Sequence, residues 1–343
     1  MIIGPCYSRF IQWRYPKHPS MHMTKDKTDD DERISLIALS MIDGMNATMV
    51  TWLLEHFGRF TDILAALRKP CEAIPLLGHH TYRSIIHSID KVQQRAEKEL
   101  LFIQTKHIRL YAFTDPDFPY RLHECNEPPI AIYYKGTADL NAQRVVSIVG
   151  TRNSTNYGRR MTEELVQGLA EFDPELLVIS GLAHGIDVCA HRKAMQVGLP
   201  TVGILGHGLN RIYPADHRDT AIRMLSQGGG LLTDYPSDAT VAPENFLKRN
   251  RLIAAIADAI VVVESSKRGG AMSTATAAND DYCYREVYTY PGRVGDDHSS
   301  GCLQLIRQLK ARLITSSHDL IYDMIWDISK ASRNPQTQSD SNE

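Results

Sequence analysis

The 343-residue chain lacks most of the features that would announce its chemistry at once. No apolar run approaches the roughly 20 residues of a membrane span, and no apolar stretch near the N-terminus leads into a small-residue cleavage site, so the expected compartment is the cytoplasm. The six cysteines (Cys6, Cys71, Cys125, Cys189, Cys283, Cys302) include no C-x-x-C pair and no His/Cys metal spacing, which predicts free thiols rather than disulfides or structural zinc. Charge of one sign is missing too. At a net -2, no global basicity advertises a polyanion, and any such site must be a local cluster against an acidic remainder. A Walker A sequence is absent. The first glycine turn, Gly150-Thr-Arg-Asn-Ser-Thr, fails the G-x-G-x-x-G test, and Gly206-His-Gly208-Leu-Asn-Arg211 ends in arginine, so neither NAD nor ATP is expected and no cofactor is assigned.

What is present is an ordinary globular composition, 43% hydrophobic and 23% charged, long enough for one large domain and a small one. Residues 1–33 read as a disordered lead-in that ends in the charged run KDKTDDDER, with Met21, Met23 or Met41 as alternative starts. Residues 34–105 carry apolar positions at helical spacing, in SLIALSMI, MVTWLLEHF, TDILAAL, YRSIIHSI and AEKELLFI, and form a small all-α unit. Two turns in it, around Gly44 and Gly78, resemble helix-hairpin-helix turns. Both are degenerate, with Asn46 and Leu76 where further glycines would sit, and a structural role is the preferred reading.

Over residues 106–317 the period changes to nine strand candidates, most separated by helical segments: HIRLYAF, AIYYKG, VVSIVG, LLVISG, TVGILG, LLTDY, AIVVVES, EVYTYPG and ARLITS. The predicted class is α/β, an extended Rossmann-type doubly wound sheet whose crevice lies outside the carboxyl ends of the strands. Residues 318–343 add a short helix and a polar tail.

Positive groups recur after strands: Arg152 with Arg159 and Arg160, Arg211 with Arg218, Lys248-Arg249-Asn250-Arg251, and Lys267-Arg268 before Gly269-Gly270. Basic turns repeated on one edge make a track for a phosphate backbone. Arg249 and Arg251 would point about 200° apart on a continuous helix, so joint binding requires the segment to sit at a helix start. The alternative is that one of them pairs with Glu244, Asp258 or Glu264 and braces the fold. Asp187 and His191, four apart, could share a helix face as an acid–base pair, but the preferred reading is an aspartate serving the helix dipole with His191 bonded to it. No catalytic residue is assigned.

These motifs, GTR at Gly150–Arg152, SGLAHGID ending at Asp187, GHGLNRIYP at Gly206–Pro214, NFLKRNRLIA at Asn245–Ala254, VVVES at Val261–Ser265, GGAMSTATAA at Gly269–Ala278, PG at Pro291–Gly292 and SSGCLQLI at Ser299–Ile306, together resemble the bacterial DNA-processing protein A family (DprA, or Smf). The resemblance implies a sterile-alpha-motif-like or helix-hairpin-helix domain followed by an extended Rossmann domain. It implies binding of single-stranded DNA without a nucleotide cofactor, homodimerisation, and loading of the recombinase RecA onto DNA covered by single-strand-binding protein during natural transformation. Carried over by motif, Arg152, Arg249 and Arg251 would hold phosphates, and Gly150, Gly181, Gly185 and Gly270 would permit close backbone approach. Thr151, Arg218, Lys248, Asn250, Gly269 and Ser273 complete the implied DNA contacts. His184 stands where many members have Arg or Lys, which implies a weaker, pH-dependent contact. Many members also continue into a winged-helix domain, which is not seen in this sequence. The rival class is a nucleotide phosphoribohydrolase of the lysine-decarboxylase-like group; Pro291-Gly-Arg-Val-Gly-Asp-Asp has the shape of its P-G-G-x-G-T-x-x-E loop but no glutamate at the catalytic offset.

Overall fold

The computed structural model describes residues 27–69, 79–280 and 282–326. The N-terminal unit consists of α1 (Lys27–Met41), α2 (Ala47–Phe57), α3 (Phe60–Ala66) and α4 (His79–Thr105). Helix α1 starts at Lys27. Residues 27–33, expected in the irregular lead-in, are therefore its first turns, and residues 1–26 lie outside the described residues. The reason is Glu32, which is 7% exposed. Its carboxylate accepts the Phe60 N–H at 2.7 Å and the Thr61 N–H at 3.1 Å, so an acidic residue that reads as solvated charge caps the start of α3.

Gly44 takes φ 78° in the turn before α2, and Asn46 is the N-cap of that helix, its side chain accepting the Met49 N–H at 2.9 Å. The degenerate position of the first hairpin is thus a helix cap. The second hairpin, with Leu76 and Gly78, falls outside the described residues.

All nine strand candidates are strands: β1 (Arg109–Ala112), β2 (Ala131–Gly136), β3 (Val145–Val149), β4 (Leu177–Ser180), β5 (Thr201–Ile204), β6 (Gly230–Thr233), β7 (Ala259–Val262), β8 (Glu286–Thr289) and β9 (Arg312–Leu313). They form one sheet in the order β1-β2-β6-β5-β4-β3-β7-β8-β9, parallel from β6 to β9, with β1 and β2 added antiparallel. Between the strands run α5 (Tyr120–His123), α6 (Asn156–Phe172), α7 (Ile186–Val197), α8 (Arg218–Ser226), α9 (Pro243–Ala255), α10 (Gly270–Asn279) and α11 (Ser300–Arg307), and α12 (Ser317–Asp323) follows β9.

Alternation along the buried strands divides the core in two. Val145, Val149, Leu177, Ile179, Ile260 and Val262 join Leu252 and Ile253 of α9 and Ala271 and Ala275 of α10 on one face. Val146, Ile148, Val178 and Val261 join Leu165 of α6 and Ala190 of α7 on the other. Leu320 and Ile321 of α12 are buried in that second cluster, and a Cβ at Gly168 of α6 would strike Ser317, so the short C-terminal helix packs into the sheet's core. Strand order reverses at β3, which pairs with β4 on one side and β7 on the other, and the crevice of a doubly wound sheet opens at that switch point.

Candidate nucleic-acid interface

At the switch point the backbone turns after β3 and β7 are tied together. The Thr151 N–H donates to the Glu264 carbonyl at 2.8 Å. The Glu264 side chain, 1% exposed, accepts the Thr155 N–H at 3.0 Å and the Thr155 hydroxyl. Thr155 is the N-cap of α6, and a Cβ at Gly158 would collide with the same carboxylate. Glu264 therefore occupies the start of the first crossover helix, where dinucleotide-binding sheets hold a phosphate. The missing glycine fingerprint has a physical counterpart, because that anion position is filled by the protein's own carboxylate.

The open cavity lies alongside, with a volume of about 570 Å³. It gathers Gly150, Thr151, Arg152, Arg249, Asn250, Gly269 and Gly270 of the sequence-predicted residues. Its walls include the entry to α9 at Ala242–Pro243 and the first turn of α10, and neither helix has a side chain capping its N-terminus. Uncapped N–H groups at the positive end of a helix favour an anion. Asn250 joins the two helices, its amide donating to Ser273 Oγ at 2.7 Å and to the Gly270 carbonyl at 3.2 Å.

Arg249 lies in the middle of α9, which begins at Pro243, so the condition for both arginines to reach one phosphate, a helix start at this segment, is not met. The consequence is the splitting that helical geometry demands. Arg249 is 4% exposed and turns inward, donating to the carbonyls of Gly181, at 2.9 Å, and Ile204. Burial lowers its pKa to about 10, partly offset by Asp187. Arg251 points elsewhere, its Nη2 3.8 Å from Asp234 Oδ2 with the side chain 41% exposed. Arg249 is braced by the Gly181 and Ile204 carbonyls and Arg251 by Asp234, not by Glu244, Asp258 or Glu264.

Three glycines also serve the protein rather than open space. A Cβ at Gly150 would strike Ile186, one at Gly181 would crowd Asp187 and Arg249, and one at Gly185, which takes φ 77°, would strike the Thr151 and Arg152 carbonyls. Only Gly270 of the four faces open space. Asp187 accepts the Gly181 and Ala183 N–H groups at 3.1 and 3.4 Å, and burial raises its pKa against the pull of Arg249. His191 is bonded to Thr201 Oγ1 at 2.7 Å rather than to Asp187, and burial lowers its pKa to about 3. Both members of the candidate acid–base pair are thus engaged inside the fold.

His184 and Gly185 line a separate cleft between α6 and α7, and His184 meets the His217 ring edge-on at 4.6 Å. Arg218 and Lys248 are exposed but line neither cavity. Sequence reasoning missed the aromatics. Tyr213, 49% exposed, and Phe246 line the main cavity with ring centroids 5.5 Å apart, and the Arg152 and Arg249 guanidiniums lie 6.0 and 5.8 Å from the Phe246 ring. The signal lies in the motifs NRIYP and NFLKRNR, where an aromatic stands two or three residues from a basic side chain. The result is a cavity that offers uncapped amides, a guanidinium and aromatic faces at once.

The model of the family described as DNA recombination-mediator protein A matches residues 109–325. A putative DNA processing protein DprA of Mycobacterium tuberculosis is 37% identical over 240 residues, which cover 66% of this chain and 60% of that protein. The crystal structure of DNA processing protein A from Streptococcus pneumoniae superposes with a TM-score of 0.66 at 26% identity, covering 88% of this chain and 98% of that one. A structure of DNA processing protein A from Helicobacter pylori, described for its single-stranded DNA binding mode, gives 0.56 at 25% identity over 64% of this chain and 96% of that one.

Proposed function

Because the chain belongs to the DNA recombination-mediator protein A family, we propose that it binds single-stranded DNA in the cavity at the β3/β7 switch point. The observation that carries this reading is the convergence there of Arg152, the uncapped start of α10 and the Tyr213–Phe246 pair. A phosphate-and-stacking site of this kind grips any single strand and reads no base edges. Gly270 opens the start of α10 to a phosphate at the rim, Thr151 and Gly269 shape that rim with their N–H groups held by the Glu264 and Ser266 carbonyls, and Asn250 and Ser273 hold α10 in place. Arg251, Lys248 and Arg218 extend the positive surface, with Arg249, Gly150, Gly181 and Gly185 shaping the wall from within, and His184 lies beyond Arg152. The protein acts by binding rather than by catalysis, a reading supported by the internal engagement of Asp187 and His191.

From the family we extend the role to recombination mediation in the cytoplasm. The chain works as a homodimer that loads RecA onto strands covered by single-strand-binding protein, in natural transformation. A second copy is supported by the exposed apolar side chains Leu309, Leu313 and Tyr322 near the open β9 edge. The deciding experiment is titration with single-stranded and duplex oligonucleotides at several salt concentrations, followed by RecA filament formation on coated strands. Tight, salt-sensitive binding preferring single strands, with faster filament formation, is expected. Equal affinity for duplex, or binding flat in salt, would overturn the reading.

A further inference from the structure

Arg152 stands on a partition. It lines the main cavity on one side and, on the other, a cleft of about 710 Å³ between α6 and α7. Resting on the proposed strand binding above, we propose that this cleft is a second subsite for the phosphate backbone of the same single strand, held by Arg159 of α6 and by Arg192 and Lys193 of α7.

The geometry of the two helices makes the cleft. Arg159 and Glu163 lie one turn apart on α6, and Cys189 and Lys193 one turn apart on α7, so each helix turns a continuous face to the gap. Each cation is steadied by a neutral acceptor. Arg159 donates to the Ser154 carbonyl and the Asn156 side chain, Arg192 Nε to Thr220 Oγ1 at 3.3 Å, and Lys193 Nζ to the Gln167 side chain at 2.8 Å. These bonds orient the groups and leave their charge unneutralised.

That distinguishes them from other basic side chains of the domain. Arg144 pairs with Asp173, Arg160 with Glu164 and Arg251 with Asp234. Among the described residues, no carboxylate lies within ion-pairing distance of Arg152, Arg159, Arg192 or Lys193. Glu163 is the acidic residue in the lining, against four cations. Unpaired cations converging on a groove suit an anion that brings several charges, and continuity through Arg152 makes the next phosphates of one strand the fitting occupant. No Phe, Tyr or Trp lines the cleft, and the His184 ring there is engaged edge-on with His217, so the cleft's contribution is to the backbone and not to bases.

The test uses the full chain with thymidine oligomers of about 3 and about 12 nucleotides, lengths that reach one cavity or both. The parent should bind the longer oligomer more tightly and with a steeper salt dependence. Arg192→Gln combined with Lys193→Gln should bind the short oligomer as the parent does and the long one about tenfold more weakly, its salt slope lower by about 1.4 for two lost phosphate contacts. A charge-matched control, Lys106→Gln with Arg223→Gln on exposed sites elsewhere, should leave both affinities unchanged. Parental affinity of the double variant for the long oligomer would overturn the second subsite alone. So would equal losses on both lengths, or a parent that gains nothing from length. A parent that binds neither oligomer would overturn the reading of the main cavity, and the subsite with it.

Discussion

Asp187 and Arg249 face each other across Gly181 so closely that a Cβ there would lie 2.7 Å from Asp187 Oδ2 and 2.9 Å from Arg249 Nη2. A buried cation and a buried carboxylate, 62 positions apart in sequence, each bond the backbone of Gly181 and so tie the end of β4 to the middle of α9 from beneath the cavity. Their neighbour Arg251 does different work two residues on.

Arg249→Ala is therefore expected to unfold the domain more readily rather than to remove a phosphate contact. Removing the guanidinium leaves the buried Gly181 and Ile204 carbonyls without their donor, at about 1–3 kcal/mol for each acceptor left unpaired. Arg251→Ala should cost far less stability and lower the salt slope of single-strand binding by roughly 0.7. Urea denaturation and salt-dependent affinity of both variants check the division; an Arg249→Ala protein of parental stability would contradict it.

Stacking and charge should separate in the main cavity. Tyr213→Ala and Phe246→Ala are each expected to weaken single-strand binding by about 1–3 kcal/mol with the salt slope intact, since a ring face carries no counterion. Arg152→Ala should lower the slope instead. Fluorescence anisotropy across a salt series reads both quantities, and a change of slope in Tyr213→Ala would count against stacking.

The lead-in is dispensable only to a point. Truncation through residue 32 removes the carboxylate that caps α3, and Glu32→Ala leaves the buried Phe60 N–H without its partner, a loss of about 1–3 kcal/mol. A truncation that removes Glu32 yet melts like the parent would show that the cap is not needed.

His191 makes stability depend on pH. Its folded pKa is lowered to about 3 by burial, whereas the unfolded chain takes up a proton near 6.5. The unfolded state binds more protons between those values, so the stabilisation is complete above about pH 6.5 and is lost as pH falls towards 3, by up to about 1.4 kcal/mol per pH unit. His191→Gln should flatten this acid limb. An unchanged limb would place the titration on the other buried histidines, His207 and His217, whose pKa values burial also lowers.

The sheet was legible because a buried parallel strand writes itself as a β-branched run, and β3, β4 and β7 each stop where such a run meets glycine, serine or glutamate. The start of α1 was not legible, since Asp29–Glu32 look the same whether solvated or capping a distant helix. The site was half readable. Charge in the turns located the crevice, but whether an arginine binds a ligand or braces the wall depends on acceptors far away in sequence, as the Gly181 and Ile204 carbonyls are from Arg249. The role of Glu264 at the start of α6 was hidden for the same reason, its partner Thr155 lying 109 positions away.

That buried glutamate governs where an anion can be gripped here. With the start of α6 already taken by the Glu264 side chain, a strand bound as proposed would rest on the rim, open to water and mobile ions, where attraction fades within a Debye length of about 8 Å at physiological salt. Contacts of this kind let go singly. A strand so held can be peeled from one end, link by link, without the protein ever having to unfold or to expel a deeply seated phosphate.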